Sequence, residues 1–467
     1  MNSDRVQAMA DIRRALAGLD RLAIWEDGSP PLPDQVFTPP AHGRALDLER
    51  ALVIGNRGVG KTFWASALVD DQARAVAADA YPRSGLNRIG QAAFGFRGGL
   101  SDERTADKDA LREALGTGIS AELLWLAVAL RSIERLPISL VDLARQVGGN
   151  VESSQLRLRR AAEANAREGR CFLLVFDGLD RLGDTWGEIR PLTIGLLRFA
   201  LAIRSLPGLA VKVFMRPDQF ADPELWRFPD ASKLVAERVD LRWHPDELYG
   251  LLFFHLRRNV EARRALESLV GEVSAGASEA AAFSALAGEW MGAGKKRGST
   301  YTWIPMHLAD AREEGSPRSF IKALARAAAH EPAPVGQAID HKGIMQGVVA
   351  ASGDRVRELE EDYWWMRKAL QPLAGLLVPC ERDDVFARWA GTCDAIQADA
   401  TRGLSRLLPI FLESGDGRDE PALLEALRVI GVVEIRANGK INVPDIFRVG
   451  AGIMRKGGVK PPKARVT

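Results

Sequence analysis

The feature that most constrains this chain is a short apolar strand, a glycine-containing turn and a helix start, which follow one another between residues 51 and 64. Gly55, Gly60, Lys61 and Thr62 fit the pattern G-x-x-x-x-G-K-[ST] without a mismatch. Glycines let the backbone curl so that its N–H groups point at a phosphate, and the helix N-terminus adds the positive end of its dipole. The stretch therefore predicts a phosphate-binding loop rather than a glycine turn with a chance lysine.

The residues of this loop have distinct expected roles. Lys61 is expected to reach the β- and γ-phosphates of a nucleotide, and the Thr62 hydroxyl is expected to ligate Mg²⁺. The contacts to the nucleotide are expected from the whole stretch, namely Gly55, Asn56, Arg57, Gly58, Val59, Gly60, Lys61, Thr62 and Phe63.

Length and composition bound the architecture. The chain has 467 residues, which is too long for one hydrophobic core, so we expect about two to three domains. Hydrophobic residues make up 46% and charged residues 27%, as in ordinary soluble globular proteins. The net charge of +2 argues neither for nor against a nucleic acid partner.

Cysteine usage and hydropathy indicate the compartment. The three cysteines, Cys171, Cys380 and Cys393, are widely separated and fit neither a disulfide framework nor a C-x-x-C metal site. We expect core thiols in a reducing cytosol. The sequence has no apolar run of about 18 residues and no apolar signal core, so we expect a cytoplasmic protein without a membrane span.

Two proline-marked breaks and a change from strand to helix patterns divide the chain. The predicted segments are an N-terminal helix and proline-rich connector (1–44), a P-loop domain (45–260) with a helical insertion (about 80–168), a helical lid (261–335), a helical and winged-helix domain (336–454) and a basic tail (455–467). Periodicity further predicts a P-loop helix that runs to about Val76, helices over 121–136, 154–168 and 191–205, and a mobile loop over 94–112.

A second conspicuous stretch is the apolar run Cys171–Phe176, which ends in Asp177. Such a run is typical of a strand buried on both faces, and ligands of open α/β sheets lie at the carboxyl ends of these strands. Asp177 is therefore expected to hold Mg²⁺ together with Thr62, the alternative being an aspartate that caps a loop. Further strands and helices alternate up to Leu241, which predicts an α/β fold with a parallel sheet.

Two more charged residues follow the predicted strands. Asp180 is expected either to orient the attacking water or to form a salt bridge with Arg181; no glutamate directly follows Asp177. Arg216 ends the strand predicted over 209–215 and is placed to sense a γ-phosphate, unless it is a solvated rim charge.

Two arginines outside these strands are further candidates. Ser316 and Pro317 have the residue types of a helix start, so Arg318 would project from the first turn, where a cation opposes the helix dipole. That local cost favours a functional role over the phosphates. Arg227 could act as an arginine finger toward a neighbouring subunit, although a simple exposed arginine is the favoured reading.

The C-terminal part predicts a helix and a hairpin. Asp419 caps a helix that runs to Ile430, and two short alternating strands flank Asn438-Gly439, a strong hairpin signal. This order is typical of a winged helix. The tail from Arg455 to Arg465 carries five cationic residues and no acid.

With these residues in place, the chain resembles the STAND and AAA+ branches of the additional-strand P-loop ATPases. The run Phe176–Arg181 looks like the Walker B motif of NACHT and KAP proteins, Gly315-Ser316-Pro317 like the G-x-P motif of STAND helical domains, and Pro317-Arg318 like an AAA+ sensor 2. The resemblance implies a three-layer P-loop NTPase with a helical lid and a winged helix that move with the ATP or ADP state. Neither a repeat array nor an effector domain is seen, so sensor and effector functions are expected from other chains.

The expected function is that of an ATP-binding and ATP-hydrolysing switch with Mg²⁺ as cofactor. Lys61, Asp177, Asp180, Arg216 and Arg318 are the expected catalytic residues. By resemblance, the nucleotide state would control assembly with protein partners or a homo-oligomer, in a bacterial conflict or antiviral defence system. The alternative is an origin-recognition-like ATPase that uses its winged helix and basic tail on duplex DNA. A kinase on the same scaffold is a weaker third possibility.

Overall fold

The computed structural model describes residues 3–19, 29–98, 105–271, 278–402, 408–409, 419–457 and 459. By its internal contacts the chain divides into two compact units. We call them the sheet unit, formed by Glu26–Leu241 and Gly403–Ile410, and the helical unit, formed by Met1–Trp25, Arg242–Arg402 and Phe411–Thr467. The division differs from the predicted segments, because the N-terminal helix groups with the lid and C-terminal regions and the sheet unit's main segment ends at Leu241 rather than at residue 260.

The sheet unit is built on five parallel strands. They are β1 (Leu52–Ile54), β2 (Ile89–Phe96), β3 (Cys171–Phe176), β4 (Leu209–Met215) and β5 (Val239–Asp240). Their order is β2-β3-β4-β1-β5, so β4 lies between β1 and β3. This arrangement confirms the predicted three-layer α/β fold with a parallel sheet of the additional-strand class.

Helices of the sheet unit connect and cover these strands. With α1 reserved for the N-terminal helix Ser3–Gly18, they are α2 (Gly43–Leu46), α3 (Lys61–Val69), α4 (Asp71–Ala80), α5 (Lys108–Leu115), α6 (Ala121–Glu134), α7 (Leu140–Gly149), α8 (Val151–Arg167), α9 (Trp186–Ala202), α10 (Pro217–Phe220) and α11 (Ala231–Glu237). The central strands β3 and β4 are almost wholly buried among them because their side chains, apart from Lys212, are apolar on both faces.

The edge strand β2 lies inside the segment that we predicted to be a helical insertion. It pairs in parallel with β3, where Ala93 is in register with Leu174. Gly95 allows this pairing, because a Cβ at that position would lie 2.3 Å from the Phe176 ring. The predicted mobile loop over 94–112 therefore begins with strand and ends in α5, while residues 99–104 lie outside the described residues.

Some predicted helix boundaries were wrong; for example, the helix predicted over 154–168 begins at Val151. The P-loop helix α3 ends at Val69 rather than near Val76, because the Asp70 carboxylate accepts hydrogen bonds from Gln72 N and Ala73 N and starts α4. Helix α9 begins five residues before the predicted Pro191, since the Thr185 side chain caps it. A proline this near the N-terminus removes only one early backbone hydrogen bond.

A buried lysine fastens the segment before β1 to the sheet. Lys212 of β4 has no solvent exposure, and its Nζ donates to Ala45 O at 3.0 Å and Asp47 O at 2.6 Å as well as to Arg50 O. Three carbonyl oxygens match the three N–H donors of an ammonium group. The chain entering the phosphate-binding loop is thereby held at the middle of the sheet.

The helical unit consists mainly of helices. In addition to α1 they are α12 (Pro245–Arg258), α13 (Val260–Gly271), α14 (Glu279–Ala287), α15 (Thr300–Leu308), α16 (Pro317–Ala328), α17 (His341–Asp362), α18 (Met366–Leu370), α19 (Arg382–Arg388), α20 (Thr392–Arg402), α21 (Asp419–Val429) and α22 (Asp445–Arg448). Met9, Ile12 and Leu16 of α1 are buried, whereas Val6 is 43% exposed. Among the described residues, each helix is too short or too polar to cross a lipid bilayer.

The end of the chain contains the expected helix and hairpin. Helix α21 is followed by the antiparallel strands β7 (Glu434–Ile435) and β8 (Ile441–Asn442), and Gly439 in their turn has φ +81°. A further pair, β6 (Leu377–Val378) and β9 (Met454–Arg455), is parallel. Of the predicted basic tail, residue 458 and residues 460–467 lie outside the described residues.

The three cysteines are buried free thiols, as predicted. Burial raises the pKa of the Cys171 thiol to about 11 and that of Cys393 to about 12. Both thiols are therefore protonated and unreactive at neutral pH.

Candidate functional site

The predicted phosphate-binding loop is the turn between β1 and α3. Residues 55–60 form the turn, and residues 61–63 open the helix. Gly58 and Gly60 have φ values of +79° and +102°, in the left-handed region that glycine adopts without strain. At Gly55 a Cβ would lie 2.8 Å from Val59 Cγ2, so the turn is too tight for a side chain there. The backbone therefore has the curled form that the sequence pattern predicts.

Lys61 folds back over this turn. Its Nζ lies 2.8 Å from Gly55 O and 3.0 Å from Asn56 O and donates hydrogen bonds to both. The ammonium group thus lies beside the backbone that is expected to hold the phosphates. To contact a phosphate, Lys61 would exchange these carbonyl partners for phosphate oxygens.

Thr62 and Asp177 meet directly at the carboxyl end of the sheet. Thr62 Oγ1 donates a hydrogen bond of 2.8 Å to Asp177 Oδ2, although the two residues are 115 positions apart in the chain. Asp177 immediately follows β3 and is only 7% exposed. Burial raises the pKa of its carboxyl, and the nearby Lys61 charge and the Thr62 hydrogen bond offset only part of that rise.

This pair has the chemistry of a Mg²⁺ site. A carboxylate and a hydroxyl are hard oxygen ligands, and Mg²⁺ in nucleotide sites is held by one or two such groups together with phosphates and waters. Consistent with so sparse a set, the described part of the chain contains no cluster of three or more His, Cys, Asp or Glu residues that would bind a metal by itself. Thr62 and Asp177 therefore fit a cation that arrives with a nucleotide.

A network of three charged side chains lies beyond β3 and β4. Arg216, the residue after β4, donates from Nη1 to Asp180 Oδ2 at 3.1 Å. The same guanidinium makes a two-point contact with Asp218, from Nε to Oδ1 at 3.0 Å and from Nη2 to Oδ2 at 2.8 Å. Arg216 is therefore an ion-pair residue in this structure rather than a solvated rim charge, and its role as a γ-phosphate sensor stays a prediction.

Asp180 is held as a carboxylate. Burial raises its pKa, but the positive charges of Arg216 and Arg181 more than offset this effect, so the pKa is lowered from its ordinary value. The hydrogen bond is made to Arg216 rather than to the neighbouring Arg181 that the sequence suggested. An ionised carboxylate can accept a proton or orient a water, and this role of Asp180 remains a prediction.

Asp218 is a member of this network that the sequence analysis missed. It is buried, and it follows Arg216 and Pro217 at the start of α10. The signal available in the sequence was an acid two positions after a candidate arginine, placed in the first turn of a helix that begins with proline. Gln219 lies next to it, 2% exposed, and its side-chain nitrogen has no hydrogen-bond partner among the described residues.

The two remaining candidate arginines have simple local partners. Arg227 Nη1 lies 2.7 Å from Glu224 Oε1, and its side chain is 70% exposed. In the helical unit, Arg318 projects from the first turn of α16, as predicted from its neighbours, and its Nη1 lies 3.7 Å from Glu358 Oε1 of α17. Their roles as arginine finger and sensor stay predictions.

One link between the connector and the phosphate-binding loop was not predicted. Trp64 of α3 donates from Nε1 to Nδ1 of His42 at 2.9 Å, and His42 has no solvent exposure. The hydrogen bond identifies Nδ1 as the unprotonated ring nitrogen. The proline-containing segment before α2 is therefore joined to the first turn of the P-loop helix.

Sequence comparisons with known proteins give limited matches. No protein-family model matches the chain. The pantothenate synthetase of Bradyrhizobium sp. (strain BTAi1 / ATCC BAA-1182) is 41% identical over 69 residues, which are 13% of this chain and 23% of that protein. The chain thus spans less than a quarter of the length of the curated relative that it matches.

Among solved structures, the chain is similar to the Walker-type ATPase PABY2304 of Pyrococcus abyssi, with a TM-score of 0.41 and 16% identity over 91% of this chain and 98% of that one. The Aeropyrum pernix ORC2 protein (ADPNP–ADP complexes) gives a TM-score of 0.38 and 13% identity over 91% of this chain and 94% of that one. The Aeropyrum pernix ORC1 protein in complex with DNA gives a TM-score of 0.33 and 12% identity over 95% of this chain and 90% of that one.

Proposed function

We propose that the chain is a Mg²⁺-dependent ATPase that acts as a nucleotide-controlled switch. The observation that carries this proposal is the hydrogen bond between Thr62 and Asp177 beside a curled glycine loop. The loop offers backbone N–H groups and a lysine to phosphates, and the adjacent oxygen pair suits the cation that accompanies them. A glycine turn without a nucleotide would not need a buried carboxylate at this point.

Each side chain has a task in this proposal. The loop backbone and Lys61 bind the phosphates, and Thr62 and Asp177 hold Mg²⁺. When bound, Mg²⁺ supplies positive charge against the phosphate oxygens. Asp180 orients the attacking water, while Arg216 and Arg318 stabilise the negative charge of the γ-phosphate. Hydrolysis replaces the bond between the β,γ-bridging oxygen and the γ-phosphorus by a bond to the water oxygen.

The nucleotide site is tested by two substitutions in the loop. Lys61→Met should weaken ATP binding by about 10- to 100-fold, because charged hydrogen bonds of this kind contribute roughly 1.5–3 kcal/mol. Thr62→Val should weaken binding only when Mg²⁺ is present, since it removes a metal ligand and keeps the side-chain shape. Equilibrium binding of a fluorescent ATP analogue measures both effects. Undiminished affinity in Lys61→Met would contradict the proposal.

The switch itself is a second step of the proposal. ATP and ADP are expected to favour different assemblies with protein partners or with further copies of the chain, in a bacterial conflict or antiviral defence setting. Size-exclusion chromatography with light scattering in ATP, in ADP and without nucleotide measures this. Identical masses and retention volumes in all three conditions, with purified partner candidates included, would contradict the proposed switch but not the proposed ATPase activity.

The second candidate function is a DNA-binding ATPase. Support comes from the helix α21 and its hairpin, whose turn carries Arg436 and Lys440 on either side of Asn438-Gly439. In the winged-helix interpretation this hairpin is the wing, and the predicted basic tail adds further cations. A salt-dependent mobility shift on duplex DNA that is lost on deletion of residues 455–467 would favour this function over the protein-partner switch.

A further inference from the structure

A short hairpin between α14 and α15 carries a concentrated positive charge. We call residues 290–299 the basic turn. Trp290 and Ser299 form an antiparallel bridge, and Met291 N donates to Gly298 O at 3.0 Å. Gly298 N in turn donates to Lys295 O at 3.1 Å. These bonds make the turn a defined structural element rather than an unstructured connection.

Three consecutive cations occupy the tip of the basic turn. Lys295, Lys296 and Arg297 are all exposed. None of them forms a salt bridge with an acidic residue in the part of the chain that the structure describes. Lys322 of the same unit differs, because it lies 3.5 Å from Asp354 and 3.7 Å from Glu358. The basic turn therefore presents three formal charges that form no ion pair with a carboxylate of the described residues.

The glycines and the tryptophan keep these cations together. Gly292 and Gly298 have φ values of +141° and +87°, which other residues rarely adopt. At Gly292 a Cβ would lie 3.1 Å from Arg297 Cδ, so the absence of a side chain leaves room for the arginine stem. Lys295 Nζ lies 5.7 Å from the centre of the Trp290 ring, within the range of a cation–π contact.

We propose that the basic turn binds the phosphodiester backbone of duplex DNA. Unpaired lysines and arginines on an exposed turn are the groups that contact phosphates, and such contacts carry no sequence preference. Trp290 is half-buried and Lys295 covers one face of its ring, so the turn lacks the open aromatic platform that single-stranded binding uses. The basic turn is a different segment of the chain from the hairpin of α21 and from residues 455–467, and the proposed contact does not depend on ATP hydrolysis.

The test compares two triple variants of the full chain that change net charge equally. The first is Lys295→Ala/Lys296→Ala/Arg297→Ala. The matched control replaces the exposed Arg159, Arg160 and Arg167 of α8 by alanine. Fluorescence anisotropy on a labelled duplex of random sequence, from low to moderate salt, gives the slope of log K against log salt concentration. Loss of three phosphate contacts should make that slope shallower by about 2.7, since each contact contributes about 0.9.

The proposal is supported if the slope becomes shallower in the basic-turn variant and not in the control, and if the change in slope is similar for duplexes of different sequence. It is overturned if both variants change equally, if neither changes, or if the unaltered chain binds no duplex at low salt. Binding to phosphatidylserine vesicles that is lost in the basic-turn variant, without DNA binding, would overturn it in favour of an anionic membrane. ATP affinity is measured on the same samples. A loss of DNA binding with unchanged ATP affinity concerns the basic turn alone, whereas a loss of ATP affinity concerns the proposed nucleotide site.

Discussion

Arg216 Nη1 lies 3.1 Å from Asp180 Oδ2, which joins the end of β4 to the segment that follows the aspartate at the end of β3. Asp218 accepts hydrogen bonds from Nε and Nη2 of the same guanidinium group, so Arg216 already has two carboxylate partners. A γ-phosphate would compete with them for the same positive charge. The network therefore links the expected water-orienting residue to the expected phosphate sensor.

Replacement of Arg216 tests this link. Arg216→Ala should lower kcat for ATP hydrolysis by about 100-fold, the effect of removing one donor that stabilises charge in the transition state. ATP affinity should change far less, since the loop and Lys61 provide most of the ground-state contacts. Steady-state hydrolysis and ATP binding measure the two quantities separately.

Arg227→Ala is the matched control for that experiment. Its side chain is 70% exposed and its ion pair with Glu224 lies at the surface, so its loss should leave kcat unchanged. An equal fall of kcat in both variants would contradict the specific role of Arg216. It would indicate either general destabilisation of the protein or that Arg227 has the arginine-finger role that we did not favour.

The Asp180–Arg216 pair should also appear in the pH dependence of stability. Since the folded-state pKa of Asp180 is lowered below its ordinary value of 3.8, the unfolded chain binds this proton more readily than the folded one. The pair therefore stabilises the folded state above about pH 4, and this contribution is lost as pH falls through the folded-state pKa.

Urea unfolding of the wild type and Asp180→Asn between about pH 3 and 7 measures this difference. The two unfolding midpoints should differ at pH 7 and converge at the acid end. Asp230→Asn, which removes a surface partner of Lys233, should change the midpoint little at any pH. A constant difference between wild type and Asp180→Asn over the whole range would show that ionisation of Asp180 is not the cause.

Lys212 gives a prediction about the sheet itself. Lys212→Met keeps the length of the side chain but removes the donor to the carbonyl oxygens of residues 45, 47 and 50, of which Asp47 O keeps its hydrogen bond from Arg50 N. We expect a loss of about 3 kcal/mol in the free energy of unfolding, measured with urea. Lys233→Met, at an exposed ion pair of the same unit, should cost less than about 0.5 kcal/mol. Equal, small losses would mean that water replaces the ammonium group.

Arg318 is tested against a neighbour that shares its partner. Both Arg318 and Lys322 of α16 lie 3.7 Å from Glu358 Oε1. If Arg318 senses the γ-phosphate, Arg318→Ala should reduce the rate of ATP hydrolysis by about tenfold or more, while Lys322→Ala should leave it near the wild-type rate. Similar losses in the two variants would indicate that contact with Glu358, and not a phosphate, explains the effect.

The sequence predicted the central strands because their signal is local. The run at 171–176 is apolar throughout and the run at 209–215 is apolar except for Lys212, which is the pattern of strands covered on both faces. By contrast, β2 contains Gly90, Gln91 and Gly95 and lacks the β-branched run expected of a strand. Its strand conformation depends on pairing with β3 and on the Phe176 ring over Gly95, which no local pattern reveals.

The candidate site likewise combines residues that short sequence motifs reveal with contacts between residues far apart in the sequence. The glycine loop and the aspartate at the strand end follow from short motifs, so their positions could be predicted. The contact of Arg216 with Asp180 could not, because Asp180 lies 36 positions away and comes close only through the order of the strands. The same holds for Trp64 and His42, which are 22 positions apart on either side of β1.

The placement of β4 between β1 and β3 has a mechanical consequence. Thr62 and Asp177 follow strands that are not neighbours, so the backbone of β4 sets how far apart these two residues can lie. Backbone hydrogen bonds fix the spacing of neighbouring strands at about 4.8 Å, and side chains such as those of Val211 and Val213 point above or below the sheet. Substitutions in β4 that keep its backbone pairing should therefore leave the distance between Thr62 and Asp177 unchanged, whereas a residue that breaks the pairing, such as proline, should alter it.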